Sequence, residues 1–157
     1  GGLIGKMWSG TTASISYTNV SVKSTGSTVG GFGGYLDGTL NNVYARGSVH
    51  AADYVGGLIG EKGSNSAVSD SFTASVVTSQ ASIAKGAFVG RSSGGTLSNI
   101  KWHFIVGEQT ECMGNLVSGD GCPLNTGEMD LTYFRSPLNA PLSSFDFEVE
   151  TANSIIN

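Results

Sequence analysis

Charge is what this sequence has least of. Asp, Glu, Lys and Arg together make up 13% of the 157 residues, about half the ~25% usual in soluble domains. Disorder would need high net charge on a weakly hydrophobic chain. Here 39% of the residues are hydrophobic and the formal charge is −4, so the chain is expected to fold. Long apolar runs are missing too: no stretch reaches the ~18 residues of a membrane-spanning helix, and no signal peptide is visible. Prolines number only three, and good helix formers do not occur in runs. With abundant Ser and Thr, that points away from a helical protein. Cysteine is sparse as well. Cys112 and Cys122, with His50 and His103, do not supply the four-ligand spacing of a metal site. The two cysteines read as a disulfide closing a short loop rather than as free thiols. Such a bridge stabilises by roughly 3 kcal/mol on a loop-entropy model and favours an oxidising, extracellular setting.

What the chain does have is glycine, 24 residues of it, about twice the usual share of ~7%. Much of it is periodic. GGLIG opens the chain at Gly1 and returns at Gly56, with looser copies GGFGG at Gly30 and GAFVG at Gly86. Starts at 1, 30, 56 and 86 are 29, 26 and 30 residues apart, a period at which chains build stacks of similar units. The chain begins inside a repeat without an initiator Met, which reads as a processed or excised piece.

After each step and a polar turn comes an alternating segment: Ala13 to Val22, Leu40 to Val49, Val68 to Val77 and Leu97 to Val106. In the second, Leu40, Asn42 and Tyr44 share a parity and, across Ala45, so do Gly47 and Val49, as in a strand with one buried face. In the fourth, Lys101 and Trp102 take the Tyr and Ala places. Turn signals stand between, at Ser9-Gly10, Thr25-Gly26-Ser27, Asp37-Gly38, Lys62-Gly63-Ser64 and Ser93-Gly94-Gly95. Units this short bury an apolar face only by stacking. Stacking predicts one core ladder of Leu3, Phe32, Leu58 and Phe88 and another, aromatic, of Tyr17, Tyr44 and Phe72. The paired glycines fit places where coils approach too closely for a Cβ.

The alternation of VGGLIG with xLxNxYAxGxV resembles the GLUG repeat of large bacterial surface proteins, including adhesins. The best copy is Val29 to Val55, and the resemblance covers about residues 1–106. It implies a parallel β-solenoid exposed outside the cell, and it carries no catalytic residue over. Trp102, Gly127-Glu128-Met129, Phe134 and Phe145-Asp146-Phe147 also resemble the closing segment of such arrays.

Charge divides the chain in two. Residues 1–106 hold seven bases and four acids, a balance of +3, whereas residues 107–157 hold eight acids and only Arg135, a balance of −7. The second part reads as an acidic C-terminal cap. Asn125 with Glu128 resembles a capping box for a short helix over Gly127 to Phe134, stopped by Pro137. Phe145, Phe147 and Val149 alternate with Asp146, Glu148 and Glu150 as an assembly or cap strand that closes the sheet edge.

Little in the chain points to chemistry. A glycosidase needs two carboxylates ~5–10 Å apart on one face, but Asp37, Asp70 and Asp53 lie at different offsets in their repeats. Glu108, Glu111, Asp120, Glu128 and Asp130 match no Ca²⁺ loop spacing. His50 and His103 have no catalytic constellation near them in sequence, and Gly30 to Gly34 lacks the Lys-Ser/Thr of a phosphate loop. Thr18, Thr73 and Thr78 form no ice-binding rank. An acidic total with scattered bases disfavours nucleic acid. Asn19-Val20-Ser21 is a sequon that matters only in a eukaryotic source.

The sequence thus predicts an all-β parallel β-solenoid of about four coils over residues 1–106, with a cap over 107–157. The expected function is that of a non-catalytic, secreted or cell-surface structural module of adhesin type, without cofactor, bound metal or membrane insertion. Expected partners are further copies stacked head-to-tail, by attraction of basic body to acidic tail, or a host-surface ligand. The alternative is a carbohydrate-binding or polysaccharide-processing solenoid that stacks sugars on Trp8, Tyr35 and Trp102.

Overall fold

The repeat period becomes a stack of parallel coils in the computed structural model, which describes residues 1–80, 84–102, 111–115 and 122. Eleven strands succeed one another: β1 (Ile4–Met7), β2 (Thr12–Lys23), β3 (Val29–Gly30), β4 (Gly33–Leu36), β5 (Thr39–Ala51), β6 (Val55–Gly56), β7 (Ile59–Lys62), β8 (Ala67–Ser79), β9 (Lys85–Gly86), β10 (Val89–Ser92) and β11 (Thr96–Trp102). They close three sheets, ordered β1-β4-β7-β10, β2-β5-β8-β11 and β3-β6-β9, and every pairing is parallel. The architecture is an all-β parallel β-solenoid. We call coils 1 to 4 the turns that begin near residues 1, 30, 56 and 86.

Parallel stacking places equal repeat positions in columns. Ala13, Leu40, Val68 and Leu97 form one column, and Tyr17, Tyr44, Phe72 and Lys101 another. The main core runs up the stack through Phe32, Leu58 and Phe88 beside Leu36, Val43, Ile59, Val89 and Trp102. A smaller one joins Val29, Val49, Ala51, Val55 and Val77. Glycine is required where coils meet: a Cβ on Gly31 would run into the Gly57 carbonyl oxygen, and one on Gly57 into that of Ala87.

The long strands do not keep the parity that the sequence predicts. Ile15, Asn42, Asp70 and Asn99 occupy one column and all have positive φ, 48–53°. A left-handed residue inside a strand turns the following side chains to the other face, as in a bulge. Val43 and Ala45 therefore point inward and are fully buried, while Tyr44 stands on the outer face, half-buried. The aromatic ladder exists, with Tyr17 and Tyr44 stacked at 5.0 Å and 7° and Phe72 tilted at 6.0 Å from Tyr44. It is an outer ladder, not a core one: Tyr17 is exposed and only Phe72 is buried.

Leu3 also departs from expectation. Phe32, Leu58 and Phe88 are fully buried, but Leu3, which heads their column, is 57% exposed. Trp102, expected as a sugar platform, is 1% exposed and lies beside Thr73, over the end of the column of Thr18, Ala45 and Thr73. Lys62 is no turn residue. It ends β7 in the inward column of Met7, Leu36 and Ser92, is fully buried, and donates from Nζ to the Gly94 carbonyl.

Candidate functional site

The two ends of the stack are built differently, and the candidate site is the first. Five large hydrophobic side chains are exposed among the described residues: Leu3, Trp8, Ile15, Tyr17 and Val20. All belong to coil 1. In the column of Leu3 the next member, Phe32, is fully buried, whereas the next members of the other columns, Asp37, Asn42, Tyr44 and Gly47, are half-buried. Strands β1 and β2 stand first in their sheets, with no strand before them among the described residues.

Backbone groups give the edge a specific acceptor. In successive coils one carbonyl receives two consecutive amides from the coil before it. Phe32 O accepts from Leu3 N and Ile4 N, each at 3.0 Å. Leu58 O accepts from Phe32 N and Gly33 N at 2.9 and 3.0 Å, and Phe88 O from Leu58 N and Ile59 N at 3.0 Å each. Leu3 O stands first in this series and receives no such pair among the described residues. Beside it, the Lys6 ammonium lies 3.8 Å from the Trp8 ring centroid and 4.9 Å from that of Tyr35. It has no carboxylate within ion-pair distance among the described residues.

At the other end residues 111–115 add a partial fifth rung. Cys112 O accepts from Phe88 N at 2.9 Å and Val89 N at 3.1 Å, continuing the series, and Met113 bridges Val89 in parallel. Asn115 then replaces a strand with a side chain: its Oδ1 accepts from Ser92 N at 2.6 Å, and its Nδ2 donates to Ser92 O at 2.9 Å. Cys112 is bonded to Cys122, and Cys122 packs on the main core. Cys112 and Met113 are buried. The sequence signal for this rung is Cys-Met-Gly in the place of Phe88-Val89-Gly90, which the period of the repeats does not reveal.

The other candidate residues are dispersed. Asp37 accepts from Asn65, both backbone N and Nδ2 at 3.0 Å, and those donors, the side-chain amide first, hold its carboxyl below the usual aspartate value. Asp53 meets Ser27 at 3.4 Å. Asp70 accepts from Asn99 at 2.7 Å and Asn41 at 3.1 Å. Each carboxylate thus ties one coil to the next. His50 Nδ1 pairs with Thr78 Oγ1 at 2.8 Å. Burial, aided by Tyr17 and opposed by Arg46, raises the pKa of the Tyr44 hydroxyl. No group of three or more His, Cys, Asp or Glu gathers as a metal site among the described residues. His103, the acids Glu108, Asp120, Glu128 and Asp130, the helix expected over 127–134 and the strand of Phe145, Phe147 and Val149 lie outside the described residues.

Compared with family models, curated proteins and solved structures, the chain matches none.

Proposed function

We propose that the protein is a non-catalytic structural module of an extracellular or cell-surface β-solenoid, related to the GLUG repeats, and that the face of coil 1 is its assembly surface. One observation carries this reading. Leu3 heads a column whose other members are fully buried, and its carbonyl heads a series in which every later member accepts two amides. An edge with both unpaired acceptors and apolar side chains is a template for another strand layer. The added layer is a parallel coil of the same repeat. The Cys112–Cys122 disulfide suits an oxidising compartment.

A chain carrying a second copy of residues 30–55 ahead of Gly1 tests this, because Val55 precedes the next Gly-Gly step in the native order. The added coil is expected to raise the denaturation midpoint and lower binding of an apolar dye. An unchanged midpoint and unchanged dye binding would refute it.

A sugar-binding reading keeps one supporting feature, Trp8, which is 63% exposed beside Lys6 and Tyr35. Glycan binding by the native chain that is lost in Trp8→Ala, with the fold intact, would favour it over assembly.

A further inference from the structure

We infer that the coil that docks on coil 1 is selected by charge: it presents a carboxylate in the column of Lys6 and an aromatic ring in the column of Tyr17. This rests on the assembly reading and adds the chemistry of the partner. Two columns on the outer faces bring complementary groups together between neighbouring coils. In the column Lys6, Tyr35, Glu61, Arg91, the Lys6 ammonium lies over the Tyr35 ring, and Arg91 Nη1 meets Glu61 Oε1 at 3.9 Å. In the column Tyr17, Tyr44, Phe72 the first two rings stack and the third lies tilted against the second. Like charges placed directly opposite on neighbouring strands are unfavourable, and opposite charges or paired rings are favourable.

Within this chain, coil 3 has the required pair, Glu61 and Phe72, whereas coil 4 has Arg91 and Lys101 in the same columns. A second copy stacked head-to-tail would oppose Arg91 to Lys6. It would also have to displace the rung of residues 111–115, which already fills the edge of β10. The occupant is therefore an acidic-faced coil of the same repeat class and not coil 4 of a second copy.

The test uses the full chain with a copy of residues 56–85 ahead of Gly1, which brings the copied Glu61 into register with Lys6. Three versions retain that glutamate or carry Glu61→Gln or Glu61→Lys in the copy alone. The folding equilibrium constant is expected to fall from Glu to Gln to Lys, by roughly two- to five-fold per step. The spread should shrink as added salt shortens the screening length from ~10 Å to ~3 Å, and Lys6→Met in coil 1 should erase it. Equal stability of the three versions, or a spread indifferent to salt and to Lys6→Met, would overturn the charge selection while leaving assembly standing. If none of the three is more stable than the chain without the added coil, the assembly reading itself fails. Filaments of the native chain at low salt would overturn the choice of occupant.

Discussion

Coil 1 and coil 4 have almost the same sequence plan and opposite fates. Leu3 and Phe88 stand in equivalent places, one 57% exposed and the other fully buried. Carbonyl 3 has no pair of donors among the described residues, while Phe88 N and Val89 N find Cys112 O. The difference lies outside the repeats themselves: a partial rung, a disulfide and one asparagine side chain cover the β10 side of coil 4. A repeat position is thus neither core nor surface by its own residue. Its layer decides, as expected where each unit buries its face only on a neighbour.

The largest contrast should come from truncating the two ends of one column. Phe88→Ala is expected to cost about 3–5 kcal/mol, against less than about 0.5 kcal/mol for Leu3→Ala, both read from denaturant unfolding. Comparable costs would mean that coil 1 is covered in solution. Removing the disulfide by Cys112→Ala with Cys122→Ala should cost ~2–4 kcal/mol and make coil 4 the less protected end. Unchanged exchange of the Phe88 and Val89 amides would contradict the role given to the fifth rung.

A smaller effect runs the other way. Ile15 is a β-branched residue at φ 49°, where Asn42, Asp70 and Asn99 stand in the other coils. Since left-handed backbone costs such a residue roughly 1–2 kcal/mol, Ile15→Asn should stabilise by about 1 kcal/mol. The same change at Val43, an inward position, should destabilise. The smallest effect is in pH. The Asp37 carboxyl is held below its unfolded value, so its contribution is present above about pH 4 and is lost as pH falls through the depressed value. Asp37→Asn should flatten that part of the stability profile, and an unaltered profile would show that the Asn65 bonds contribute nothing.

The stacking was legible because parallel coils force equivalent residues into columns, and the glycine-led apolar steps, Gly-Gly in three coils and Gly86-Ala87 in the fourth, keep that register. The fourth segment even placed Lys101 and Trp102 in the columns of Phe72 and Thr73. The inward face was misread because it follows backbone conformation rather than alternation. Asn42, Asp70 and Asn99 were the available hint, as Asn and Asp tolerate left-handed geometry best after glycine. The fifth rung was hidden because Cys112 comes 24 residues after Phe88, outside the 26 to 30 of the other spacings, and only Gly114 of the motif is retained. The buried Lys62 had no signature, since its inward column otherwise holds Met, Leu and Ser.

Amide hydrogen exchange on the native chain, and on the chain extended by a second copy of residues 30–55, decides whether coil 1 is an open face. In the native chain the amides of β1 and β2 that face away from coil 2 should exchange fast. Once the coil is added they should become as protected as those of β5, with β10 and β11 unchanged. Amides of β2 already as protected as those of β8 in the native chain, or still unprotected in the extended one, would show that coil 1 is not an assembly surface.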